Sequence, residues 1–206
     1  MQYQHEIREK KARYTGPRAS FPKHNDRLDV MFSRYLMKRG LSPALARANG
    51  WFCSFYKDVP RVIIPCTNSE GVPYFQGRDM TDKHPLRYAS PASPRDDSIV
   101  IVWPDYDGRR GLVICEGPAD CLAIAEVGFV GIGLMGNQPN ESVLAHVVIY
   151  ARAIAPVIIV PDVDMPEMGS TVLSYLAQHG VSCEVRCPLK KDLAEMTLIE
   201  RRNFLK

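Results

Sequence analysis

Four carboxylates stand where they could share one cation. Glu116 directly follows the apolar run Leu112 to Cys115, and Asp162 and Asp164 follow the apolar run Pro156 to Val160. Asp120 lies four residues after Glu116, in the first turn of the helix that leaves that run. If the two runs are strands of one parallel sheet, their ends lie along a single edge. Open α/β sheets bind ligands at that edge. Carboxylates gathered there repel one another unless a cation sits between them, and hard oxygen donors of this kind suit Mg²⁺ or Mn²⁺. Taken singly, Asp120 reads equally well as a helix-dipole residue and Asp162 as a helix N-cap. The coincidence of all four at matching strand ends points to a metal site.

The surrounding pattern predicts the elements needed to position them. Strands are expected at Ile99 to Trp103, Gly111 to Cys115, Phe129 to Leu134, Pro156 to Val160 and Val181 to Cys187. Helices are expected at Pro118 to Val127, Glu141 to Arg152, Gly169 to His179 and Leu193 to Phe204, with a turn at Asp105 to Gly108. Short β-rich runs alternating with helices imply βαβ units and a mainly parallel sheet flanked by helices. The first half has a different texture. Residues 1–27 are polar and basic, with Gly16-Pro17 and Phe21-Pro22 as breakers, and read as a flexible or loosely docked arm. Leu28 to Met37 has helical apolar spacing, ended by Arg39-Gly40. Ser42-Pro43 then supplies an N-cap and a first-turn proline for a second helix. Val62 to Pro65 and Val72 to Gly77, joined by the turn Asn68 to Gly71, form a predicted antiparallel hairpin. Thr81 to Asp97 is a loop and the expected subdomain boundary. The expected units are therefore a basic arm over 1–27, a small α+β subdomain over 28–97, and an α/β domain over 98–206.

Charge follows the same division. Residues 1–95 hold 17 Lys/Arg against 8 Asp/Glu, a net +9, whereas residues 96–206 hold 9 against 15, a net −6. A basic half beside an acidic half suits a polyanion on one side and cations on the other, although a dipolar, well-solvated protein has the same signature. The six cysteines include no C-x-x-C pair, so we expect reduced thiols and no zinc site. No apolar run reaches the roughly 18 residues of a membrane span. The charged first residues lack the apolar core of a secretory signal. We therefore expect a soluble, cytoplasmic protein.

Glu116-Gly117-Pro118-Ala119-Asp120-Cys121-Leu122 resembles the first signature of toprim domains, and Asp162-Val163-Asp164 with Gly169 resembles the second. Gly133-Leu134-Met135-Gly136-Asn137 stands where that family has a glycine turn. Lys191-Asp192 stands where bacterial and phage primases carry a Lys-Asp pair. One departure is the spacing of four residues between Asp164 and Gly169, where the primase pattern usually has two. The loop it implies puts the exact position of a second metal in question. Upstream, Arg61-Val62-Ile63-Ile64-Pro65, Phe75-Gln76-Gly77-Arg78 and Pro85-Leu86-Arg87-Tyr88 resemble the basic N-terminal subdomain of bacterial and phage (DnaG-type) DNA primases. Tyr35 to Ser42 is similar to that subdomain's first helical stretch.

The resemblance implies a DNA primase catalytic core that joins ribonucleoside triphosphates on a single-stranded DNA template. Glu116, Asp120, Asp162 and Asp164 would hold Mg²⁺ or Mn²⁺, with Glu116 also a general base. It further implies that Arg61, Arg78 and Arg87 face this edge across a groove and contact phosphates. Lys191 would meet the triphosphate, and Asp192 would be a further metal or second-sphere ligand. With no zinc ribbon and no P-loop in the sequence, a separate replicative helicase or zinc-ribbon protein is the implied partner. Toprim nucleases share the carboxylate edge but give no reason for the arginine pattern. A non-catalytic nucleic-acid-binding protein on the same scaffold is the other alternative.

Overall fold

The computed structural model describes residues 20–93, 95–105, 109–136 and 138–206. Most of the expected arm, all of the expected Asp105–Gly108 turn after Asp105, and Asn137 lie outside these residues. The described part of the arm is docked. Asn25 N–H donates to Cys53 O at 2.9 Å, Ser54 Oγ donates to Lys23 O at 2.6 Å, and Phe21 packs on Phe52 and Phe75. Packing contacts are thus made by Phe21, Lys23 and Asn25, ahead of the helix that starts the expected subdomain.

Helix α1 (Asp29–Lys38) and helix α2 (Pro43–Ala48) lead into the first sheet, and Ser42 caps α2 by accepting from Leu45 N–H. That sheet is antiparallel, in the order β1 (Phe52–Tyr56), β2 (Val59–Cys66), β3 (Tyr74–Asp79), β4 (Tyr88–Ala89). The β2–β3 hairpin was expected, but β1 and β4 were not. Tyr56 pairs with Val59 across a two-residue turn in which Lys57 and Asp58 both have positive φ. Such a turn matches the strand twist but is normally signalled by Asn-Gly or Asp-Gly.

The second sheet carries the acidic edge. Its strands are β5 (Val100–Val102), β6 (Leu112–Cys115), β7 (Val130–Gly133), β8 (Val157–Ile159) and β9 (Cys183–Val185), in the order β5-β7-β6-β8-β9. Only β5 runs antiparallel. Strands β6 and β8 are adjacent, parallel and buried on both faces, as their unbroken apolar runs require. Helix α3 (Pro118–Ala125) covers one face, joined there by the first sheet and by α6 (Leu198–Phe204). Helices α4 (Glu141–Ala153) and α5 (Pro166–Gln178) cover the other. The first side is one continuous core, running from Phe32, Trp51 and Ile64 to Val100, Val113 and Leu122. The two sheets therefore share an interior. They are also stitched by paired backbone hydrogen bonds between Thr67 and Ile99. Gly131 permits the close seating of α3, since a Cβ there would lie 2.6 Å from Cys121 Cα.

Two boundaries differ from expectation. Helix α5 begins at Pro166, not Gly169, because proline suits the first helical turn. Gly169 is instead an interior residue, whose missing side chain makes room for Pro161 and Val185. The four residues between Asp164 and Gly169 are thus not a longer loop: three of them open the helix. Helix α6 begins at Leu198, not 193, where Thr197 and Glu200 form a reciprocal capping box.

Candidate active site

Glu116 leaves the end of β6, and Asp162 lies just beyond the end of the neighbouring β8. Together with Asp120 and Asp192 they form the acidic side of a cleft of about 610 Å³. Arg39, Arg78 and Arg87 line its other side, with Gln76 and Tyr88 between them, while Lys191 reaches in from the acidic side. Among the described residues no ion pair crosses the cleft.

The carboxylates are in conflict with one another. Burial pushes the Asp162 carboxyl up to about 7, assisted by the charges of Glu116, Asp192 and Asp164. Burial likewise raises Glu116, with Asp164 adding to the effect and Lys191 opposing it. One Glu116 carboxylate oxygen is buried without a hydrogen-bond partner among the described residues. An orphaned hard oxygen beside two repelling carboxylates fits a divalent cation. Asp164 stands at the rim, with its side chain 62% exposed and its Oδ2 3.8 Å from Lys191 Nζ. It contributes field to the site more than wall.

Asp120 sits deeper than expected. It is only 5% exposed, and Oδ1 accepts a 2.9 Å hydrogen bond from Ala194 N–H. Burial and the Asp192 charge push it up to about 8. This acid joins α3 to the segment that carries Lys191 and Asp192. Asp192 in turn accepts from Glu195 N–H at 2.8 Å.

The arginines divide. Arg78 lines the cleft, with Nε donating to Tyr35 Oη at 2.9 Å, a terminal nitrogen on Asp82 at 3.0 Å, and its guanidinium over the Tyr88 ring. Arg87 is exposed on the same wall. Arg61, expected beside them, is a correction: it is fully buried and absent from the cleft. Its guanidinium donates to Gly77 O at 2.9 Å, to Leu86 O at 3.2 Å and to Tyr56 O at 3.3 Å. A Cβ on Gly77 would approach Arg61 Cδ to 2.9 Å, so this glycine makes room for the arginine. Arg61 fixes the stretch that presents Arg87 and Tyr88, and its donors are spent within the protein.

Arg39, Gln76 and Tyr88 are cleft residues that the sequence reading passed over as site residues. Strand alternation supplied the signal for Gln76, because it shares a face with Arg78. Its side-chain oxygen is also buried without a partner among the described residues. Arg95 donates to Met135 O at 3.0 Å and to Leu134 O, holding the glycine turn at the cleft. Elsewhere, His24, Asp29 and Cys53 bring ligand atoms within 4.8 Å of one another. There the Arg47 guanidinium, 2.9 Å from the same Asp29 oxygen, already supplies the cation.

No family model and no curated protein matches the chain. Solved structures do. One is a complex of bacteriophage T7 lagging-strand DNA polymerase with primase domains bound to an RNA/DNA hybrid and dTTP. The match has 21% identity and a TM-score of 0.59, over 82% of this chain and 87% of that one. The fold is that of a DNA primase core. The primase fragment of the T7 primase-helicase protein matches at 21% identity and TM-score 0.57, over 91% of this chain and 79% of that fragment. The Aquifex aeolicus primase, comprising zinc-binding and RNA polymerase domains, matches at 18% identity and TM-score 0.60. There 87% of this chain spans 59% of that fragment. Among the described residues no helix is long and apolar enough to cross a membrane.

Proposed function

We propose that the chain is the RNA-polymerising core of a DNA primase, joining ribonucleotides on single-stranded DNA in the cytoplasm. One observation carries this reading: a single cleft sets mutually repelling carboxylates against a wall of arginines with which, among the described residues, they form no ion pairs. Glu116 and Asp162, with Asp164 at the rim, would hold Mg²⁺ or Mn²⁺. A cation held there would neutralise triphosphate charge and favour loss of the 3′-hydroxyl proton. Glu116 has its proton affinity raised by burial and one oxygen unengaged among the described residues, and so is suited to accept that proton. Arg78 and Arg87, with Arg39 beside them, bind the phosphates of template, nucleotide and nascent hybrid. Lys191 meets the triphosphate from the acidic side. Asp120 and Asp192 shape the floor of the cleft. A separate replicative helicase or zinc-ribbon protein would direct the core to its template.

A longer loop between Asp164 and Gly169 would favour a scaffold without catalysis, but Pro166, Glu167 and Met168 open α5 instead. A nuclease would use the acidic edge but leaves the facing arginines without a task. The test is synthesis of short RNA from labelled ribonucleotides on single-stranded DNA with Mg²⁺ or Mn²⁺, comparing wild type with Asp162→Asn. We expect RNA from the wild type and a loss of orders of magnitude in the variant. Equal synthesis by both would remove Asp162 from the reaction, and none by wild type with either metal would remove the primase reading.

A further inference from the structure

We propose that Arg201, paired with Glu126, is a positioning residue for the metal-binding edge. This rests on the reading of the cleft as a metal-dependent nucleotidyl-transfer site. Among the described residues Arg201 and Arg61 are the largest fully buried side chains, although Arg201 belongs to α6 and does not line the cleft. Its donors go to three places. Nε donates to Leu193 O at 2.9 Å, one terminal nitrogen donates to Ala194 O at 3.2 Å, and the other pairs with Glu126 Oε2 at 2.6 Å.

Each partner leads back to the site. Ala194, whose carbonyl Arg201 holds, donates its own N–H to Asp120 Oδ1 at 2.9 Å. The residue before Leu193 is Asp192, which lines the cleft and raises the proton affinity of both Asp120 and Asp162. Arg201 therefore grips the backbone of the short segment that supplies one cleft acid and the hydrogen bond to another. Glu126 completes the connection by accepting Ser42 N–H at 2.5 Å through its other oxygen. Ser42 caps α2, three residues after Arg39 on the basic wall. One buried ion pair thus ties the segment under the carboxylates to the end of α3 and to the subdomain that bears the arginines.

A side chain needed only for folding would lower stability and leave the folded site unchanged. A positioning residue must change the site itself. Removing groups that orient metal ligands typically weakens metal affinity or activity about 10- to 100-fold. Arg201→Lys keeps a cation beside Glu126 but cannot span both carbonyls. Glu126→Gln keeps an acceptor for Ser42 and removes the charge that holds Arg201.

The experiment uses the full chain and three readouts on each variant: thermal unfolding, Mn²⁺ binding by electron paramagnetic resonance, and amide hydrogen exchange over residues 190–196. We expect folded variants with Mn²⁺ affinity reduced about tenfold or more. The Ala194 amide should exchange at least about tenfold faster, as a hydrogen bond opened locally does. Glu126→Gln should act in the same direction as Arg201→Lys, and it carries the test if the latter does not fold. A folded variant with wild-type Mn²⁺ affinity and wild-type exchange at Ala194 would overturn the proposal. If wild type makes no RNA while the variants still lose Mn²⁺ affinity, the primase reading fails and the positioning role stands. If wild type binds no Mn²⁺, exchange at Ala194 decides: faster exchange supports the clamp, and unchanged exchange refutes it.

Discussion

Asp162→Asn should stabilise the metal-free protein at alkaline pH, destabilise it relative to wild type when Mn²⁺ is added, and do neither near pH 4.5. The Asp162 carboxyl is pushed from its usual 3.8 up to about 7, first by burial and then by the charges of Glu116, Asp192 and Asp164. A tenfold change in proton affinity is about 1.4 kcal/mol, so ionising Asp162 in the folded, metal-free chain costs about 4 kcal/mol. Water reaches this half-buried edge and screens the charges, which reduces the measurable gain from asparagine to about 2 kcal/mol. For a chain of this length that is a rise in Tm of about 4–8 °C.

The sign follows from proton linkage. An acid whose proton is held more tightly in the folded state than in the unfolded state makes stability fall as pH rises between the two pKa values, here from about 4 to about 7. Wild type should lose stability through that window, and Asp162→Asn should lose less. Saturating Mn²⁺ stabilises whichever form binds it, by about 2.7 kcal/mol at a hundredfold excess over Kd, and so favours wild type. Calorimetric scans of both proteins near pH 4.5 and pH 8, with chelator and with Mn²⁺, would settle the matter. A variant advantage that is the same at both pH values, or that Mn²⁺ leaves unaltered, would refute the account of the acidic edge.

Two further outcomes follow from the arginines. Arg87→Ala should weaken single-stranded DNA binding and reduce the dependence of log affinity on log salt by about one, at little cost in stability, because Arg87 is exposed. Titration of a labelled oligonucleotide at several salt concentrations checks this, and an unchanged slope would remove Arg87 from the phosphate contacts. Arg61→Met should do the reverse. Stranding the carbonyls of Gly77 and Leu86 should cost about 3 kcal/mol in chemical denaturation, with the DNA affinity of the folded fraction altered only through Arg87 and Tyr88.

The acidic edge was legible because its strands are central. Leu112–Cys115 and Val157–Ile159 are buried on both faces, so each reads as an unbroken apolar run, and the acids at their ends are conspicuous. The first sheet was half legible. Strand β1 was hidden because the Lys57-Asp58 turn takes positive φ without a glycine, and β4 is only two residues long. Pro166 is ambiguous in sequence, because proline suits a loop and the first turn of a helix alike. Both Arg61 and Arg78 are arginines in β-strands, and no local pattern marks the first as buried and the second as a cleft residue. Arg61 is buried because Gly77 leaves a space for it and four backbone carbonyls converge there, those of Tyr56, Gly77, Leu86 and Arg87, which lie 5, 16, 25 and 26 residues away. The bond from Asp120 to Ala194 spans 74 residues and leaves no local mark on the sequence.

These long-range contacts answer a question that the sheet alone cannot. A parallel sheet fixes the points where its strands end, and so fixes Glu116 and Asp162. It does not fix the loops that complete the cleft, whose backbones have no ladder to hold them. Each such loop is gripped by an arginine that does not line the cleft. Arg61 binds the carbonyl of Leu86, ahead of Arg87 and Tyr88. Arg95 binds those of Leu134 and Met135, ahead of Gly136. Arg201 binds those of Leu193 and Ala194, just after Asp192. A guanidinium suits this task because its donors lie in one rigid plane and can reach two carbonyls at once. It also remains charged when buried, so its bonds to carbonyls are of the stronger, charge-assisted kind. The net +9 of the first half therefore overstates the surface offered to nucleic acid, because Arg61 belongs to the interior and Arg95 to a loop anchor. Among the described residues Arg39, Arg78 and Arg87 are the arginines that face the carboxylates.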